Sequence, residues 1–179
     1  MLLIVPRPAR RRAILRAVTP LLDRDALICG SDRLTIHHDA GERALRALRH
    51  LGFTDYDSGS SRVVVYSLAL PWVVKIAVAD WAVDAIETEE ETFARLRELA
   101  PSRVPHTFWL SPLVCLQERL DVNEDRTEPL LCAIREELGS CGIWLNDHEP
   151  YQYGWRGDEW VLLDGGDTMV EGLLIGRSA

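Results

Sequence analysis

Lysine is almost missing from this chain: Lys75 stands alone against nineteen arginines. Cysteine is sparse as well. Cys29, Cys115, Cys132 and Cys141 form no C-x-x-C pair, and no histidine lies at a metal-ligand spacing from them. That argues against a zinc-stapled or disulfide-framed scaffold and for a reduced cytosolic protein with structural thiols. No apolar run reaches the roughly 18 residues of a membrane helix. Residues 1–6 are too short for a signal sequence and lead into charge, not a cleavage site. An excess of positive charge is also lacking. The formal net charge of -8 argues against a sequence-independent grip on nucleic acid, which needs a basic surface. There is no internal repeat and no low-complexity linker.

What is present suffices for a packed core. The chain has 179 residues, 47% hydrophobic and 27% charged, which fits one domain or two small lobes. The charge is unevenly spread. Ten of the nineteen arginines lie in residues 1–50, and the acids concentrate after residue 84. The run 7-RPARRRAILR-16 is a basic patch on an acidic protein, either the solvated face of a helix or a docking surface for an acidic partner.

Periodicity predicts helices over residues 8–22 and 40–51, with a small hairpin over 26–38 between them. A turn-rich piece, 54-TDYDSGSS-61, precedes the β-branched strand 62–70. A second strand over 72–78 is antiparallel to it. Residues 80–100 form a helix with acids in its first half, where the helix dipole favours them, and with Asp80 or Asp84 as cap. Strands over 106–110 and 113–119 follow, then a loop over 121–129 and a helix over 129–139. The chain closes on a hairpin, 151–155 and 159–164, turned by Gly157-Asp158. The layout is α+β with an antiparallel sheet.

Four places can carry chemistry. Lys75 sits in the apolar run 71-PWVVKIA-77, on the strand face opposite Val74 and Ile76. A compact ammonium there suits phosphate oxygens in a tight site; an ordinary edge-strand lysine is the plain alternative. On the following helix, either Glu89 or Glu90 faces inward with the Phe93 and Leu96 stripe, while Glu87 and Glu91 fit the outer face. The turn 57-DSGSSR-62 flanks Gly59 with serines, so backbone N–H groups and hydroxyls can approach a phosphate. Finally, Asp147, Gln152 and Asp164 converge at the base of the last hairpin, where two carboxylates and an amide suit Mg²⁺ binding and general-base work.

The order of these parts resembles the protein-kinase fold reduced to a minimum, as in the short kinase-like proteins of bacteria and their phages. The resemblance covers roughly residues 51–167. It implies an N-terminal antiparallel sheet with a C helix, a truncated helical C-lobe with a β-hairpin, and ATP and Mg²⁺ as cofactors. It divides the chain into a basic helical extension over 1–50, an ATP-binding sheet and helix over 51–120, and the truncated lobe over 121–179. By the same resemblance Gly59, Ser60 and Ser61 stand in the glycine-rich loop. Lys75 grips the α- and β-phosphates, with Glu89 or Glu90 as its ion-pair partner. Gln117 is the gatekeeper, and Glu118 and Leu120 lie in the adenine hinge. Asp147 is the catalytic aspartate, Gln152 takes the metal-binding asparagine position, and 164-DGG-166 replaces Asp-Phe-Gly. The expected activity is phosphotransfer to a hydroxyl acceptor in a bacterial or phage-infected cytoplasm, with a protein as substrate or partner. The alternative is a kinase-shaped binding protein without turnover. The chain departs from the family in keeping one loop glycine, in Gln152, in lacking His-Arg before Asp147, and in ending soon after Asp167. If His148 is matched to the D-x-H pattern of small bacterial kinases, the base position falls on Asn146.

Overall fold

The computed structural model describes residues 5–22, 33–59, 62–77, 82–146, 148–166 and 168–170. The chain divides into two compact units, Met1–Val83 with His106–Arg119, and Asp84–Pro105 with Leu120–Ala179.

The first unit is a five-stranded antiparallel sheet with two helices on one face. Its strands are β1 (Asp55–Ser58), β2 (Arg62–Tyr66), β3 (Trp72–Ala77), β4 (Thr107–Ser111) and β5 (Val114–Glu118), in the order β1-β2-β3-β5-β4. The helices are α1 (Pro8–Val18) and α2 (Arg33–Leu48). Alternation along the strands sends Val63, Val65, Val74, Ile76, Val114 and Leu116 to one face. There they pack with Ile14 and Val18 of α1 and with Ala44 and Leu48 of α2. The first fifty residues therefore help build the core of this unit.

Three local expectations differ here. Of the hairpin over 26–38, residues 33–38 are helical instead, and residues 23–32 lie outside the described part. Once the downstream segment nucleates a helix, each added residue gains a backbone hydrogen bond. The propensity cost of Thr35 and Ile36, below about 1 kcal/mol each, is too small to stop it. The turn-rich piece after Gly52 contains β1, whose residues are mostly exposed. Its backbone pairs with β2 from Asp55↔Tyr66 to Ser58↔Val63, so an edge strand forms without a hydrophobic pattern. Strand β2 stops at Tyr66, and Leu70 N–H bonds back to Ser67 O at 3.0 Å in the turn that follows.

The second unit takes most of α3 (Ala82–Leu99), then α4 (Glu124–Thr127), α5 (Leu131–Ser140), β6 (Ile143–Leu145), β7 (Tyr153–Arg156), β8 (Glu159–Leu162) and β9 (Thr168–Val170). Its core joins Phe93 and Leu96 of α3 to Ile134 and Leu138 of α5 and to Tyr153, Trp155, Trp160 and Leu162 of the hairpin. The β7–β8 hairpin turns at Gly157 with φ +64°, the positive value that a glycine at the first central position adopts at no steric cost. The Asn123 side chain caps α4 through Arg126 N–H at 2.9 Å, inside the stretch expected to be loop. The three-residue pair β6–β9 is also new, being too short to leave a periodic trace. Of the two expected caps of α3, Asp84 lies in its first turn, and Asp80 lies outside the described residues.

Candidate functional site

The second face of the five-stranded sheet mixes polar and apolar side chains where the first is mostly apolar. Register places Asp57, Val64, Lys75, Cys115 and Trp109 in one row across all five strands. Lys75 is 7% exposed, in the central strand β3. This is an interior position and not the sheet edge, so the ordinary edge-strand lysine is excluded. Arg62 and Gln117 belong to the same face and are also buried. Burying such groups is costly unless they are hydrogen-bonded or charge-paired.

Glu118 is buried at the end of β5 and lies on the other face, opposite Trp72. Its Oε2 accepts His106 N–H at 3.2 Å, so any hinge role falls to the backbone. Arg119 holds this end of β5 to the β2–β3 turn through Nε to Leu70 O at 2.8 Å. Gly59 N–H donates to Arg62 O at 2.9 Å and closes the β1–β2 turn. Ser60 and Ser61 lie outside the described residues.

In the second unit, burial decides which of Glu89 and Glu90 faces inward: Glu89 is 0% exposed and Glu90 is exposed. Ala82, Ile86, Glu89, Phe93 and Leu96 recur at three and four along α3, and all are buried. Stepping from 89 to 90 turns the side chain by about 100° around the helix and out of that stripe.

Glu89 reaches the Asp-Gly-Gly segment. Gly165 N–H donates to Glu89 Oε2 at 3.4 Å, and Gly165 O accepts Thr168 Oγ1–H at 2.9 Å. A Cβ added at Gly165 would sit 3.0 Å from Thr92 Cγ2. Position 165 is therefore tight for any side chain, the phenylalanine of Asp-Phe-Gly included. Asp164 Oδ1 accepts Gly166 N–H at 3.0 Å, which fixes the carboxylate at the strand exit. Leu163 N–H bonds Gln152 O at 2.7 Å. The structure thus brings Glu89, Gln152 and Asp164 into one connected region of this unit. Thr92 went unnoticed in the sequence; the only signal was a hydroxyl inside an apolar stripe.

Gln152 is buried, and its Oε1 accepts Glu149 N–H at 3.0 Å. Its amide oxygen thus holds the turn after Glu149. Leu120 packs against Gly154, where an added Cβ would lie 2.7 Å from Leu120 Cβ. Asp147 lies outside the described residues. Its neighbour His148 has Nε2 at 2.8 Å from Leu131 O and Nδ1 at 2.7 Å from Tyr153 Oη. A carbonyl only accepts, so Nε2 carries a proton toward Leu131 O, and Nδ1 pairs with the Tyr153 hydroxyl. Burial pushes the Tyr153 phenol well above its ordinary range, with Arg135 pulling weakly the other way.

As a Mg²⁺ ligand, the Asp164 carboxylate is the hard oxygen donor the ion prefers. Gln152 offers an amide oxygen that already accepts one hydrogen bond and keeps a second lone pair. Among the described residues no group of three His, Cys, Asp or Glu side chains converges as a metal site.

The third strand of the sheet carries a buried lysine, and the helix joining β3 to β4 carries a buried glutamate. An Asp-Gly pair follows the last hairpin. That succession, on an α+β chain with this strand order, resembles a kinase-like fold. No family model matches the chain, and no curated protein matches it. Among solved structures it is similar to WbdD, described as a bifunctional kinase-methyltransferase. The 2.2 Å crystal structure of WbdD is matched at 14% identity over 69% of this chain and 35% of that one, with a TM-score of 0.43. It is similar also to Rv3197 from Mycobacterium tuberculosis in its complex with erythromycin. That match is at 16% identity over 92% of this chain and 60% of that one, with a TM-score of 0.46. The chain thus spans about a third of WbdD and three fifths of Rv3197.

Proposed function

We propose that this protein is a minimal ATP- and Mg²⁺-dependent phosphotransferase of bacterial or phage origin, acting in the cytoplasm on a hydroxyl acceptor. The observation that carries the reading is the burial of the sole lysine at 7% exposure in the middle strand of the sheet. The chain meets every other need for positive charge with arginine. A compact point charge is the choice for phosphate oxygens in a tight site. Glu89, also buried, and Asp164 supply the carboxylates that the resemblance requires.

In this reading Lys75 holds the α- and β-phosphates and Glu89 orients its ammonium. The turn at Gly59, Ser60 and Ser61 covers the phosphates, and residues 118–120 receive the adenine. Bound Mg²⁺, held by Asp164, would neutralise charge on the phosphate oxygens. Asp147 orients the acceptor hydroxyl and takes its proton. The acceptor oxygen–phosphorus bond forms as the bridging bond to ADP breaks. Positioning and charge neutralisation do the catalytic work.

A second reading is a kinase-shaped binding protein without turnover, acting through a protein partner. Gln152 favours it, because the family's asparagine is replaced by a longer amide whose oxygen also accepts Glu149 N–H.

The test is the melting temperature of the full chain with and without Mg-ATP, for the parent, Lys75→Arg and Asp164→Asn. Ligand at one hundred times its dissociation constant adds about 2.7 kcal/mol of stability. The parent is expected to shift and the variants to shift less. Radiolabelled ATP then reports transfer to the chain or to an acceptor. A shift without transfer leaves the binding module. A parent indifferent to Mg-ATP, or variants that respond as the parent does, removes the enzyme.

A further inference from the structure

A pocket of 770 Å³ opens on the helix-covered side of the first unit. It lies across the sheet from Lys75. Trp72 and Leu116 on its wall share the face of Val74 and Ile76, whereas Lys75 alternates to the other side. Its walls are apolar, made by Leu51, Phe53, Leu70, Pro71, Trp72 and Leu116. Among the described lining residues the only ionisable groups are Arg7, Arg10 and His50, and none is acidic. On a chain of net charge -8, an apolar hollow whose described charged lining residues are two arginines is a selective environment. Arg10 Nη2 donates to Leu51 O at 2.8 Å. That bond pins the guanidinium at the wall while its other N–H groups stay directed elsewhere.

We propose that this pocket binds an amphipathic carboxylate, a small molecule with an apolar body and one anionic head. The volume falls in the range of about 300–1,000 Å³ typical of small-molecule sites, which are mostly apolar with a few polar groups that set orientation. Phe53, Leu70 and Trp72 receive the body. The planar fork of arginine matches a carboxylate in two parallel hydrogen bonds, which assigns the head to Arg7 and Arg10. The site is separate from the phosphate-binding lysine of the nucleotide reading, because Lys75 is on the opposite face of the sheet.

Calorimetric titration of the full chain with decanoate, and with decanol as the uncharged control, tests this. Decanoate is expected to saturate at one molecule per chain and to bind at least tenfold more tightly than decanol. Arg7→Glu, at an exposed position, should weaken decanoate at least tenfold with the melting temperature unchanged. Leu70→Trp should fill the hollow and abolish binding. Saturating Mg-ATP should not displace decanoate. Absence of saturable heat, equal affinity for decanol, parent-like binding by Arg7→Glu or displacement by Mg-ATP would each overturn the proposal. If Leu70→Trp does not fold, the decanol and Arg7→Glu results decide.

Discussion

Arg103 lies 4.4 Å over the Trp160 ring and pairs with Glu137 at 2.7 Å, while Trp160 Nε1–H donates to the same carboxylate at 3.2 Å. Arg126 stacks at 3.6 Å on Trp155 and reaches Asp158 at 3.0 Å. These sites use a planar, delocalised cation, which an ammonium cannot replace. At these two sites the planar fork of arginine is used, in contrast to the ammonium of Lys75. Tyr153 supplies a second residue-scale argument. Its phenol is raised above the ordinary tyrosine value by burial. The folded state therefore keeps its proton at a pH where the unfolded chain has lost it. The contribution is complete below about pH 10 and declines as pH rises further, by up to about 1.4 kcal/mol per pH unit for one proton. Tyr153→Phe should flatten the fall in urea-unfolding stability above pH 10. At neutral pH it should cost about 1 kcal/mol for the lost bond to His148. Tyr56 and Tyr66 are also raised, chiefly by desolvation, so the comparison with the parent isolates Tyr153. A parent-like alkaline slope in the variant would contradict the assignment.

Among the elements, α2 contains a glycine where helix propensity would favour alanine by about 1 kcal/mol. Gly41 has a reason to be there: a Cβ at that position would collide with the Tyr56 ring of β1. The helix and the edge strand approach closely because the glycine leaves the space. Gly41→Ala is expected to destabilise the protein by about 1–3 kcal/mol, the usual cost of overpacking, in spite of its better propensity. Chemical denaturation checks the sign. A stabilised variant would mean that the ring swings aside freely. The same principle operates at Gly165 beside Thr92 and at Gly154 beside Leu120. These glycines act through close approach; neither has a positive φ.

At the scale of the whole molecule there are two separate cores, one under the five-stranded sheet and one around α3, α5 and the last hairpin. Leu48 and Leu138 are almost fully buried in the first and the second, respectively. Truncating either to alanine should cost about 2–5 kcal/mol. Hydrogen exchange should show where: Leu48→Ala weakens protection first in β1–β3, and Leu138→Ala first in β7 and β8. Uniform loss of protection in both variants would mean that the two cores unfold as one.

The sequence by itself determined the parts whose causes are local. The β-branched run around Lys75, the acid-led helix that follows and the Gly157-Asp158 turn could be read because period two, period 3.6 and turn chemistry act over a few residues. Tertiary structure alone decided the rest. It turned Glu89 inward and Glu90 outward, buried Lys75 in the sheet's middle strand, made a strand of the polar residues 55–58, and set α1 on the sheet beside residues 50–53 to shape a pocket. Each of these depends on partners distant in sequence. Backbone pairing and the covering of an apolar face are satisfied by geometry, whatever the local side-chain pattern.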